Sequence, residues 1–137
     1  MTITKNNKAL NIALWIVQGL TATLMLISAF MKIATPISEL SAKWKWTGEL
    51  PEPIVRMLGI LDLLGGIGII LPALLKIKPG LTSLAAGGVV LLMISATAFH
   101  ILRGEESVIG FNIILMLFAG FITWGRYKKL PVDPTRK

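Results

Sequence analysis

Five polar side chains stand where a strongly apolar sequence should hold none. Lys32, Arg56, Asp62, His100 and Asn112 each lie inside, or at the edge of, a long run of Leu, Ile, Val, Met and Ala. A carboxylate, an amine and an imidazole together can accept and deliver protons, and an amide beside them can hold a carbonyl or a hydroxyl. The set reads as a site for a polar group on a molecule at home in an apolar medium, or as a relay for protons or cations. Metal chemistry is poorly served. One His and no Cys exclude thiolate clusters, a thiol relay and bis-His haem within one chain, and leave His/Met ligation as a formal option among the six Met. No resident metal and no covalently bound cofactor is expected.

Four of the five also have a plain structural use. Lys32 can extend its ammonium to lipid headgroups from a helix end. Arg56 can anchor the chain at the membrane surface. His100 can cap a helix C-terminus, where a cation suits the dipole. Asn112 can bond a neighbouring helix. Asp62 has no such exit: it is too short to reach the surface, and a carboxylate at membrane depth costs on the order of 3 kcal/mol on insertion scales. It must be paired or functional.

The elements that carry these residues are set by hydropathy. Hydrophobic residues make up 54% of the 137, and charged residues only 15%, against about 25% in an ordinary soluble domain. Helices are expected over about 9–32, 54–75, 81–102 and 108–126, in a single domain spanning 1–137. Each is near the roughly 20 residues that cross a bilayer as a helix, and none alternates with the period of a membrane strand. Lys5 and Lys8 precede the first run, as in a secretory signal. That run exceeds the usual apolar core of about 7–15 residues, so an uncleaved first helix is expected. The connector 33–53 carries Trp44 and Trp46 and is expected to lie at the headgroup level. Short turns at 76–80 and 103–107 force their flanking helices to be antiparallel neighbours, and Pro72 should bend or end the second span. The fold class is all-α, an antiparallel four-helix transmembrane bundle with a loosely ordered tail from 126 onward.

The net charge is +7, but no basic stripe with interleaved aromatics lies outside the spans, so nucleic acid is not an expected partner. Nine of the 14 Lys and Arg fall in the N-tail, the 76–80 turn and the C-tail. The positive-inside rule then places both termini in the cytoplasm, with the bilayer as the first partner. Asp62 falls roughly 12 Å inside the outer start of its span, and all five polar groups gather in the outer half. Spacing sharpens this. Gly59, Asp62 and Gly66 share one helix face, and small residues let helices approach closely in membranes. Gln18, Thr21, Met25, Ser28, Ala29 and Lys32 form a stripe on the first helix, and Met93, Ala96, Thr97 and His100 one on the third. Lys32 is the best candidate cation for Asp62, because Arg56 lies on another side of Asp62's own helix. Gly65, Gly66 and Gly68 read as packing positions, since no strand precedes them to make a phosphate loop.

The run from Arg56 through Gly59, Asp62, Leu63, Leu64 and Gly65 to Pro72 resembles the second-helix signature of the DoxX-like membrane proteins. Lys32, His100, Asn112 and Arg126 agree in order, and the resemblance extends from about Trp15 to Arg126. Asp62 stands where that family usually has Glu, and Ala29 to Met31 lack its frequent Gly. The resemblance implies a multi-pass protein of the cell inner (plasma) membrane. In some relatives such a subunit accompanies thiosulfate:quinone oxidoreduction or a membrane oxidoreductase complex. Three functions follow as alternatives. One is a subunit of an oxidoreductase assembly that binds a quinone or another amphiphile, with a redox partner supplying the electron carrier. The second is a binding or transport protein for a small or lipid-like molecule, which would need a homodimer to build a path. The third is a structural or chaperone-like subunit without catalysis. The residues do not single out an enzyme.

Overall fold

The computed structural model describes residues 5–75 and 80–129. The expected turn at 76–79 and the tail from 130 onward lie outside the described residues. Helix α1 runs Lys5–Ala34, α2 Ile37–Lys43, α3 Glu52–Leu75, α4 Gly80–Leu102 and α5 Glu106–Trp124. A 3₁₀ turn, Lys45–Gly48, follows α2, and a π-helical turn, Gly125–Lys129, follows α5. Four helical segments, Lys8–Ala34, Glu52–Leu75, Gly80–Leu102 and Ile109–Tyr127, are long and apolar enough to cross a membrane.

Local chemistry sets the helix ends. Pro36 disfavours helical geometry in the residue before it, and α1 stops at Ala34. Glu52 and Pro53 occupy the first turn of α3, where a carboxylate suits the dipole and a missing N–H is harmless. Pro72 sits inside α3, which continues to Leu75. At the end of α4, Gly104 adopts φ 71°, and the Gly104 and Glu105 amides donate to the carbonyls of Ile101 (3.1 Å) and His100 (2.9 Å). Left-handed backbone at that position favours glycine. Gly80, a turn residue on sequence grounds, is instead the first residue of α4.

The long helices close into a ring, with α1 against α3, α3 against α4, α4 against α5, and α5 back on α1. Ala22, Met25, Ile69, Val89, Leu115 and Ile122 are buried at its centre. Outward-facing Phe30, Leu64, Leu84, Leu91 and Leu117 are more than half exposed. In water such a continuous apolar surface would drive association; against lipid it is the matched solvent face. Between helices, packing replaces the hydrophobic drive, and small residues decide how closely backbones come. A Cβ added at Gly59 would fall 2.8 Å from the Lys32 Cβ, and one at Gly66 would fall 3.1 Å from the Leu26 side chain. Both glycines therefore face α1 beside Asp62, as their spacing predicts.

The connector between α1 and α3 is part of the packed fold. It folds back on one end of the bundle, where Leu40, Trp46 and Val55 form a second small core with Met31, Leu58 and Phe99 around them. Trp46 is only 8% exposed, so its ring is packed into the end of the bundle. Burying its ring against α4 removes more apolar surface than an interfacial position would.

Replacing Gly66 by Leu should force α1 from α3 and lower stability by about 1–3 kcal/mol, the usual cost of overpacking. Thermal unfolding in detergent measures this, and an unchanged midpoint would contradict the close contact.

Candidate functional site

Ser28 and Lys32 stand one turn apart on α1, so their side chains point the same way. Both meet Asp62 of α3 at the same oxygen: Lys32 Nζ lies 2.7 Å from Oδ2, and the Ser28 hydroxyl donates to it over 2.8 Å. Asp62 is 1% exposed. The pairing expected from the two helix faces is thus made directly. Two indoles surround the ammonium, with Lys32 Nζ 5.6 Å from the Trp46 ring and 5.9 Å from that of Trp44. A cation beside aromatic faces is attracted by their quadrupoles, and more so where water is scarce.

Arg56 holds this pair without joining it. Its Nη1 donates to the carbonyls of Lys32 (2.8 Å) and Thr35 (2.7 Å), and its Nη2 reaches Glu52 at 3.1 Å. The last carbonyls of a helix lack partners within it. The guanidinium supplies them and fixes the backbone from which Lys32 projects.

Beside the ion pair opens a cavity of about 640 Å³, walled by residues of α1, α3, α4, α5 and the connector. Lys32, Asp62, His100 and Asn112 form its polar side, while Trp46, Phe99 and Phe111 are among its aromatic walls. Asn112 is 8% exposed, and its Nδ2 has no hydrogen-bond partner among the described residues. A buried amide N–H of this kind forfeits about 1–3 kcal/mol unless something accepts from it. Four of the five residues expected to form the site therefore share one cavity. Arg56 lies outside its wall.

His100 reaches the cavity from α4 but does not touch Asp62. Its Nδ1 lies 3.1 Å from Glu105, and its ring packs edge-to-face on Phe99 and Trp46 at centroid distances of 5.2 and 5.9 Å. With the carboxylate as acceptor, the proton of the neutral imidazole belongs on Nδ1, leaving Nε2 as an acceptor. Glu105 also accepts from Arg103 Nε over 2.6 Å, and Arg103 in turn grips Glu49 of the connector. The Arg103 hydrogen bond draws the Glu105 carboxyl below its ordinary range, assisted by His100 and opposed by partial desolvation. Sequence spacing did not reveal this chain, because Glu49 and Arg103 come together only through the fold.

A second polar cluster, also missed, lies at the opposite end of α1. Arg126 is 3% exposed. Its Nε donates to Gln18 over 2.7 Å, its Nη1 donates to Asn11 over 2.9 Å, and its guanidinium lies 5.4 Å from the Trp15 ring. Gln18 passes the link to α3 by donating to the Ile69 carbonyl over 2.9 Å. Arg126 reads as part of a basic tail in sequence. The π-helical turn at Gly125, whose missing side chain admits Leu14, brings it inward.

A bundle of four membrane-length helices, with a buried Lys–Asp pair beside a cavity near one end, defines a small multi-pass membrane protein. The chain belongs to the DoxX-like family, whose sequence model matches residues 16–122. No curated protein and no solved structure matches it. The resemblance carried by the Arg56–Pro72 run is thereby confirmed.

Breaking a buried pair on one side leaves an uncompensated charge, at a cost of about 3–5 kcal/mol. Asp62→Asn and Lys32→Met should each destabilise strongly, and the double variant should lose less than their sum. Detergent unfolding of all four proteins measures the coupling; strictly additive losses would dissolve the pair.

Proposed function

We propose that this protein sits in the cell inner membrane and binds the polar head of a quinone, or of a similarly shaped amphiphile, as the membrane subunit of an oxidoreductase assembly. The observation that carries the reading is the Asn112 amide, whose buried Nδ2 meets no acceptor among the described residues, on a residue that lines a cavity with Lys32, Asp62 and His100. About 640 Å³ lies within the usual range of ligand sites, roughly 300–1,000 Å³. A quinone ring is flat and carries two carbonyl acceptors. Asn112 Nδ2 and the Lys32 ammonium are suitable donors, and Trp46, Phe99 and Phe111 suit its faces. A bound quinone supplies two-electron, two-proton chemistry. The chain's own part is to hold the carbonyls and to keep a protonated ammonium and an imidazole beside them. With no Cys and one His, the chain offers few groups for an electron carrier, so a partner subunit brings it.

The test is calorimetric titration of the purified protein with a methoxy-substituted benzoquinone lacking any chain. Saturable binding is expected, and Asn112→Leu should weaken it about tenfold, the worth of one hydrogen bond, without lowering the unfolding temperature. Absence of binding to the native protein would reject the reading.

The same proposal places both termini in the cytoplasm with consecutive spans antiparallel, supported by the nine of 14 basic residues on that side. A phosphatase reporter should then be active when inserted in the 103–107 turn and silent when fused at Lys137. Activity at Lys137 would invert the topology.

A further inference from the structure

Along the α3–α4 seam runs a groove of about 380 Å³, lined on one side by Leu61, Leu64 and Gly65 and on the other by Ala85, Gly88 and Leu91. Leu92 and Ser95 line both this groove and the polar cavity. The two spaces therefore lie side by side, with those side chains between them. From the junction, the groove follows α4 back from Ser95 to Gly88, which is two helical turns or about 10 Å. Its walls suit hydrocarbon. Ser95 carries the hydroxyl nearest the junction, and that hydroxyl already donates to the Leu91 carbonyl over 3.0 Å.

The glycines of this seam differ in what they do. A Cβ at Gly65 would fall 2.9 Å from Val89, and one at Gly68 2.6 Å from Ala85, so both are needed for α3 to approach α4. Gly88 has no neighbour within 4 Å of an added Cβ. Helix contact does not require it, and glycine inside a helix destabilises relative to alanine. What its missing side chain does is leave the groove open toward lipid. At other sides of the cavity, Leu40 and Trp46 pack together at the end of the bundle, and Gly59 and Gly66 bring α3 against α1.

We propose that the α3–α4 groove holds the hydrocarbon chain of the amphiphile whose head occupies the cavity, so that the ligand reaches the site sideways from the bilayer and is selected for its chain. This rests on the reading of the cavity as an amphiphile site. The occupant is a single linear or isoprenoid chain attached to an uncharged polar head, running from the junction at Ser95 toward the membrane interior.

The experiment compares two probes on the full-length protein in detergent: the chainless benzoquinone, and the same ring bearing a decyl chain. Gly88→Phe fills the groove from α4, and Leu64→Trp fills it from the exposed side of α3. Each variant should raise the Kd of the decyl probe about tenfold and leave that of the chainless probe unchanged. Comparing variant with native protein cancels partition of the chain into detergent. If both folded variants bind the decyl probe as the native protein does, the chain lies in bulk lipid and the groove assignment is overturned while the cavity reading stands. If the native protein binds neither probe, the cavity reading fails and the groove assignment falls with it.

Discussion

A carboxylate buried among apolar helices must be compensated, and most of the architecture at this end of the molecule can be traced to that need. Asp62 cannot reach water from the middle of α3, so its partner has to come to it. Lys32 does so from α1 at 2.7 Å, which is possible only because Gly59 lets the two backbones close. Arg56 then holds the end of α1 by its carbonyls, and the connector lays Trp44 and Trp46 beside the ammonium. Helix contact, helix end and connector each serve the same charge pair. Each would lose part of its purpose without it.

The two ends of the bundle solve similar problems differently. At the far end, Arg126 donates to the oxygens of Asn11 and Gln18 and lies against the face of Trp15. Because Gln18 also binds the α3 backbone, this arrangement ties α1, α3 and the end of α5 together and reads as a structural clasp. At the Lys32 end the polar groups instead line an open volume, with an amide N–H that the described residues leave unmet. An unsatisfied buried donor is tolerated where something else is to accept from it. What separates the two ends is the open volume beside Lys32.

How much of this was legible in the sequence depends on how local each feature is. The four membrane-length helices follow from hydropathy alone. The meeting of Lys32 with Asp62 follows from helical periodicity, because Ser28 and Lys32 share a face with Ala29, and Gly59 and Gly66 share one with Asp62. Pairings that cross the fold are not written in any period. Glu49 and Arg103 lie far apart in sequence and sit in loops, and Arg126 looks like the start of a basic tail until the π-helical turn brings it inward. The burial of Trp46 is hidden for a related reason: a tryptophan between spans reads as a surface residue at the interface, and only the packing of Leu40 and Val55 around it shows that its ring is covered.

Charge balance around the cavity bears on which kind of ligand it serves. Lys32 is paired with Asp62, Arg56 with Glu52, and Arg103 with Glu49 and Glu105. Each of these three cations therefore has a carboxylate within reach, and the four carboxylates leave none of the three unpartnered to attract an anion. Moving a bare anion into such a place would mean stripping its water without a compensating charge, which a low-dielectric interior penalises heavily. An uncharged head with carbonyl or hydroxyl oxygens meets no such penalty. It needs only hydrogen-bond partners, and Asn112, His100 and the remaining N–H groups of Lys32 are of that kind. On the function proposed above, the same pairing suits an uncharged head better than an anionic one. The Lys32–Asp62 pair then does two things at once: it compensates its own charge inside the bundle and, on the function proposed, adds no net charge beside the ligand's head.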